Sequence, residues 1–272
     1  MSDPLISCTM VTHPSAVRLP RLRATLRDFA RQTYQRRELV VVIDALTQED
    51  ASDILSAVAD YRHENIRTII AGRKMSLGAK RNLCWSHAQG EVVCTWDDDD
   101  RHHPDRLADQ YAAMTQAGHS VCYLQEFMHY FVDERRIYRV NFRPAPDPIA
   151  VNTLMCRTDL TQRYPETGPK CESGEDEKFF RDLRQNHPFH ALADKPHLFV
   201  YVNHGANTCA DEHHRHLVDQ MGASQGLMRR YEAVLRHGLS AFDLPDDITV
   251  AGRNGDAFTL GPSMTSTAID SV

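Results

Sequence analysis

The chain has 272 residues, 42% hydrophobic and 25% charged, with a formal net charge of −6 and a pI near 6.2. That length supports one large domain or two small ones, and the composition is that of a globular protein, not a disordered or fibrous one. The longest apolar runs, such as "LVVVI" at 39–43, are too short to cross a bilayer.

In chain order, "LISCTMV" (5–11) predicts a first strand, and Leu22, Leu26 and Phe29 recur at the spacing of an amphipathic helix. "ELVVVID" (38–44) predicts a buried strand, followed by a helix within 49–63 and a strand over 66–71. A helix over 78–88 and the strand "EVVCTW" (91–96) lead into four consecutive aspartates, after which Pro104 suits a helix N-terminus. The second half reads as strands over 119–142 with a turn near Asp133 and Glu134, a strand over 149–156 and a short helix over 174–186. A late strand at 197–204 and a C-terminal helix over 213–237 follow, and the chain reads as weakly structured from Arg253. Such alternation specifies an α/β fold with a mostly parallel sheet, helices on both faces, and a smaller mixed half.

Seven scattered cysteines without a CxxC pair argue for reduced thiols, and "MSDPLISC" lacks the features of a signal peptide; the expected location is cytoplasmic.

The aspartates in "CTWDDDDRHHPDRL" (94–107) pose an electrostatic problem, because adjacent carboxylates repel unless a cation sits among them. At the carboxyl end of a strand in an open parallel sheet they project into the ligand crevice. Hard oxygen donors without thiolates favour Mg²⁺ or Mn²⁺, with phosphates completing the coordination. An EF-hand starting at Asp97 would need Gly and Glu where His102 and Ala108 stand. The cluster also follows the fourth strand, not the first as in aspartyl-nucleophile phosphatases, and no P-loop or GxGxxG occurs.

The stretch "GAKRNLCWSHAQGEVVCTWDDDDRHHPDRL" (78–107) resembles the central signature of family 2 glycosyltransferases of the GT-A fold, and "LRDFARQTYQRRELVVVID" resembles the segment that precedes it. The resemblance implies one GT-A catalytic domain over 1–245, with a donor half over 1–118, an acceptor half over 119–245 and a tail over 246–272. It implies that Asp97 and Asp99 form a D-x-D pair, Asp99 with Asp97 on the metal and Asp97 with Asp98 toward the donor. Asp98 and Asp100 stay open between ligand contact and loop shaping. Thr12, Asp44 and Arg81 map to the pocket for the nucleotide, with Asn82 supporting the loop. In "SGEDEKFF" the family's acid pair maps to Glu175 and Asp176, with Asp176 ahead of Glu175 as the base that takes the acceptor's proton; the alternative is that both acids only favour a helix N-terminus. His204, after a late strand, maps to a further metal ligand. "DALT" replaces the family's D-D-G-S, and His13 and Pro14 replace its Tyr-Asn, which bears on base recognition more than on the fold.

The implied activity is metal-dependent, inverting transfer from a nucleotide-diphosphate sugar, UDP-sugar foremost, to a hydroxyl on a glycan or lipid-linked saccharide. Arginine clusters at 18–37 and at Arg135, Arg136, Arg139 and Arg143 read either as solvated faces or as contacts for an anionic acceptor. Hydroxymethylated DNA is the nucleic-acid alternative, for which the acidic pI is a poor footprint. A sugar nucleotidyltransferase would carry a Gly-rich basic signature after the first strand, where "THPSAVRLP" stands, and a silent sugar-nucleotide binder would have no use for the acid pair. His102 and His103 are expected at the rim of an acceptor cleft, and "DEHHRH" (211–216) as a solvated stretch.

Overall fold

A computed structural model describes residues 3–61, 64–207 and 209–261. Strands and helices alternate first as β1 (Ile6–Thr12), α1 (Leu19–Ala30), β2 (Arg37–Ile43), α2 (Ser52–Ala59), β3 (Ile66–Ile70), α3 (Leu77–His87) and β4 (Val92–Thr95). A two-residue strand β5 (Arg101–His102), α4 (Arg106–Gln116), β6 (Val121–Leu124), β7 (Glu126–Phe131) and β8 (Arg136–Asn141) follow. Then come β9 (Met155–Arg157), α5 (Glu175–Arg184), β10 (Phe189–Leu192), β11 (Phe199–Asn203), α6 (Asp211–Met221), α7 (Gln225–Arg230), α8 (Glu232–Leu239), β12 (Thr249–Gly252) and β13 (Gly255–Thr259).

The chain forms two compact units, one of residues 1–124 and 150–192, the other of 125–149 and 193–272. The first holds a sheet in the order β10-β6-β9-β4-β1-β2-β3. It is parallel except at β9, which runs antiparallel to both β4 and β6. Every residue of β2 is buried, as a central strand covered on both faces requires. Leu39, Val41 and Ile43 pack with Leu22, Leu26, Phe29, Ile54 and Ala57 from α1 and α2. Val40 and Val42 pack on the opposite face with Cys84 and Leu83 of α3. The period-2 apolar run and the period-3.6 helices thus bury each other, each large side chain contributing about 1.5–3 kcal/mol. In the second unit, β13-β12-β8-β7-β11 lie side by side, with β7–β8 and β12–β13 antiparallel and β8–β12 and β7–β11 parallel.

Four expectations need correction. The strand expected over 149–156 is a 3₁₀ turn (Val151–Thr153) followed by the short β9. The Thr153 hydroxyl takes over backbone partners there, donating to Ala150 O (2.6 Å) and accepting from Leu124 N (2.9 Å). The helix expected over 213–237 is three helices, broken at extended Gly222, whose Cβ would meet Val218 O at 2.2 Å, and restarted by Ser224, whose hydroxyl caps Leu227 N. The segment from Arg253 forms β13, so 249–259 is a hairpin and not a tail; residues 262–272 lie outside the described residues. Finally, the first unit resumes at 150–192, so donor and acceptor halves divided at 118 do not coincide with the units.

Candidate active site

β1 is flanked by β2 and β4, all three parallel, so Thr12, Asp44 and the aspartates after Thr95 emerge at neighbouring carboxyl ends. Trp96 N donates to Thr9 O at 3.0 Å and extends the pairing one step beyond β4. Asp98 then comes level with Thr12, whose hydroxyl donates to Asp98 Oδ2 at 2.6 Å. Exposure alternates along the run: Asp98 and Asp100 are buried, whereas Asp97 and Asp99 are half-buried.

The exit from the aspartates is tied down from α1 and α4. Arg101 donates to both carboxylate oxygens of buried Asp28 (2.7 and 2.9 Å), and His102 N donates to the same carboxylate (3.0 Å). Arg106, fully buried, donates to Thr95 O at 3.1 Å and contacts His102 Nδ1. His102 stacks on Trp96 with ring centroids 3.7 Å apart and is 1% exposed. It is therefore a core side chain and not the expected cleft rim; burial, then Arg106, holds its imidazole well below the usual range. His103 Nδ1 accepts from Asp105 N at 3.1 Å, ahead of α4.

Two arginines meet the acids. Arg18, at the start of α1, donates from Nη1 to Asp98 Oδ1 (2.6 Å) and from Nη2 to Asp99 Oδ2 (2.9 Å). Arg81, on α3, donates from Nη1 to Asp97 Oδ1 (3.1 Å) and from Nε to Glu175 Oε1 (3.0 Å). Beside it, Lys80 Nζ lies 2.7 Å from Asp44 Oδ2. Burial, then the charge of Asp99, pushes the Asp98 carboxyl up to about 6 against the opposing pull of Arg18 and Thr12. Burial works against the Arg81 charge, but Asp97, with Tyr164 and Glu175, keeps it well above the ordinary guanidinium value.

The acid pair reaches this place through the 158–174 loop. Asn82 Nδ2 donates to Tyr164 O and Asn82 Oδ1 accepts from Tyr164 N, both at 2.9 Å, so Asn82 ties this loop to α3. A Cβ on Gly78 would lie 1.9 Å from Pro165 O, so only glycine lets the loop approach α3 this closely. Tyr164 stacks on Phe179 of α5 at 4.3 Å, and Trp85 meets Phe179 edge-on at 5.6 Å. Gly174, at φ 75°, turns the chain into α5, whose first turn carries Glu175, Asp176 and Glu177. Burial raises the carboxyl pKa of both Glu175 and Asp176, and Arg81 opposes it in each case.

Sequence reasoning thus selected Thr12, Asp44, Arg81, Asp97, Asp98, Asp99, Glu175 and Asp176, all in the first unit: Arg18 holds Asp98 and Asp99, Thr12 also holds Asp98, Arg81 holds Asp97 and Glu175, Lys80 pairs with Asp44, and Asp176 follows Glu175 in the first turn of α5. It missed Arg18, counted only as part of a basic stretch, and Lys80, which adjoins Arg81 in "GAKRN". His204 follows β11 in the second unit, where its N donates to Asn207 Oδ1 (2.9 Å) and its Nδ1 accepts from Ala206 N (3.3 Å). "DEHHRH" begins α6 and is mainly solvated, with His214 as its buried member. Arg139 is not available to an acceptor: it is buried and holds Glu126 at 2.6 Å.

Among the described residues no group of three or more His, Cys, Asp and Glu side chains is arranged to hold a metal ion. The donor chemistry nevertheless fits Mg²⁺ or Mn²⁺, since half-buried Asp97 and Asp99 offer one or two hard carboxylates and such ions take further ligands from substrate phosphates. No described helix is long and apolar enough to cross a membrane.

The sequence model for the family described as "Glycosyl transferase family 2" matches residues 8–182. No curated protein matches the chain by sequence similarity. Among solved structures, residues 1–349 of TarS from S. aureus are 20% identical, with a TM-score of 0.58 over 87% of this chain and 74% of that one. The same TarS fragment in complex with UDP-GlcNAc is 19% identical, with a TM-score of 0.55 over 89% and 68%. Mannosyltransferase PcManGT from Pyrobaculum calidifontis, in complex with GDP-Man and Mn²⁺, is 14% identical, with a TM-score of 0.55 over 86% and 65%. At these identities the likeness speaks for the GT-A fold.

Proposed function

The chain belongs to glycosyl transferase family 2, and from that premise we propose that it is a metal-dependent, inverting glycosyltransferase using a nucleotide-diphosphate sugar. UDP-sugar is the first donor to test, and the acceptor is a hydroxyl on a glycan or lipid-linked saccharide. The observation that carries this reading is the double engagement of Arg81, which links Asp97 after β4 to Glu175 at the start of α5. In this reading one guanidinium spans a donor-side carboxylate, Asp97, and the first member of the acid pair, Glu175.

In this reading Thr12 fixes Asp98, and Asp44, Lys80 and Arg81 line the donor's nucleotide side. The acceptor oxygen attacks the anomeric carbon as the bond from that carbon to the diphosphate breaks. Asp176 takes the acceptor's proton, and the burial that raises its pKa makes it a better base than an exposed carboxylate. Glu175 holds Arg81 in place and through it Asp97. A Mg²⁺ or Mn²⁺ held by Asp99 and Asp97 would offset the charge that builds on the departing diphosphate. The complexes of similar folds with UDP-GlcNAc, and with GDP-Man and Mn²⁺, support this choice of donor and cation.

The test is a panel of UDP- and GDP-sugars with and without Mn²⁺, read by thermal shift and by donor hydrolysis. Stabilisation that needs both nucleotide and metal is expected; no stabilisation by any nucleotide diphosphate with metal overturns the reading.

A further inference from the structure

Arg18 holds a position toward the acid cluster that the mechanism above does not use. Its backbone is fixed at the start of α1, where Arg18 N and Leu19 N both donate to Ser15 O at 3.1 Å. Its side chain is 20% exposed, so the guanidinium keeps one side open to solvent while its backbone is held. The two carboxylates it bridges differ. Asp98 is 3% exposed and is also held by Thr12 at 2.6 Å, a fixed anchor. The Asp99 side chain is 14% exposed, and Asp99 is the carboxylate read above as a metal ligand. A guanidinium and a divalent cation therefore compete for the same negative charge. They repel each other at contact distance unless new anionic charge arrives with the metal. A diphosphate supplies that charge, and a guanidinium fork matches phosphate oxygens as well as it does carboxylates.

Resting on the reading of the site as a metal-dependent donor site, we propose that Arg18 is its built-in counter-cation: it neutralises Asp98 and Asp99 in the empty chain, yields Asp99 when a divalent cation enters with the nucleotide, and turns its guanidinium onto the diphosphate. Arg18 thus couples the two ligands by direct contact with each ligand's charge in turn. The metal alone binds weakly because it must displace a bound cation without compensation. With the nucleotide present the displaced guanidinium gains a new partner, so each ligand strengthens the other.

The test measures free Mn²⁺ by electron paramagnetic resonance during titration of the full chain, without nucleotide and then with UDP or GDP. In Arg18→Gln the affinity for Mn²⁺ alone should rise about tenfold, and the affinity for the nucleotide in the presence of Mn²⁺ should fall about tenfold. Arg18→Lys keeps the charge without the fork and should fall between that variant and the parent. Arg21→Gln removes a nearby charge that is half-buried and donates to Val17 O at 3.0 Å without contacting either carboxylate; its effect on Mn²⁺ alone should stay within about threefold of the parent. Unchanged or weaker binding of Mn²⁺ alone in Arg18→Gln, or an equal gain in Arg21→Gln, overturns the proposal. A parent chain that binds neither nucleotide with Mn²⁺ instead overturns the functional reading beneath it.

Discussion

Arg81 and Glu175 lie 94 positions apart in sequence, yet the Arg81 Nε donates to Glu175 Oε1 at 3.0 Å. The same guanidinium reaches Asp97 at 3.1 Å, with an Arg81 side chain only 13% exposed. Removing it leaves two carboxylates without their cation in a poorly solvated place. Arg81→Met should lose about 3 kcal/mol of stability by denaturant titration, the order found when one partner of a buried pair is deleted. Its transfer rate should fall by about 10²-fold or more through misplaced acids. Arg81→Lys keeps the charge but not the fork and should recover stability better than rate.

Asp176 and Glu175 are neighbours with different attachments. Glu175 is engaged by Arg81, whereas the Asp176 side chain accepts from Glu177 N at 2.7 Å. Asp176→Asn should abolish transfer and leave donor affinity within about twofold, because the base contributes to the proton-transfer step and not to ground-state binding. Calorimetry of nucleotide binding beside a product assay distinguishes the roles; lost binding would move Asp176 to the donor side.

Gly78 tests the loop without touching a titratable group. An alanine Cβ there would sit 1.9 Å from Pro165 O, so the 158–174 loop has to shift and carry the start of α5 with it. Gly78→Ala should lower kcat by about tenfold or more, since displacements near 1 Å cost that much at a positioned base. Its thermal midpoint should fall as well.

The second unit carries an acid-sensitive core. His129 is fully buried, with neither ring nitrogen hydrogen-bonded among the described residues. It is stacked on Phe131 at 4.7 Å and meets His214 at 5.1 Å. Burial, then the neighbouring His214, pushes its pKa down to about 3. The unfolded chain therefore takes up a proton near pH 6.5 that the native state refuses until about pH 3. Stability is full above the unfolded value and falls as pH drops through that window. At pH 5 the loss from this group is about 2 kcal/mol. Thermal midpoints from pH 7.5 to 5 should show the decline, and His129→Phe should flatten it.

The parallel core was legible in the sequence because its signals are local. The apolar run of β2 and the helical spacing of Leu22, Leu26 and Phe29 each decide an element without reference to the rest of the chain. What failed depended on distant partners. Thr153 looks like a strand residue until its hydroxyl is seen bridging Ala150 and Leu124. His102 looks like a surface residue beside four aspartates, but Trp96 and Arg106 enclose it. Arg18 stands 80 positions from Asp98, so nothing in its own neighbourhood marks it as part of the site. The acid motifs themselves were readable, because four adjacent carboxylates after a buried strand demand a cation whatever the tertiary contacts.

β9 lies between β4 and β6 and runs against both, although it follows them in the chain. During synthesis, β4 and β6 leave the ribosome with the slot between them unfilled, and each presents an unpaired edge to the cell until residue 157 emerges. β9 and α5 both follow residue 150 in the chain, so the strand between β4 and β6 and the partner of Arg81 Nε come from the same late segment. An N-terminal fragment ending near residue 145 would thus hold all four aspartates and lack β9, β10 and the acid pair of α5. The first unit is complete in sequence only at residue 192, with the end of β10, after the whole of β7, β8 and the start of the second unit have been made.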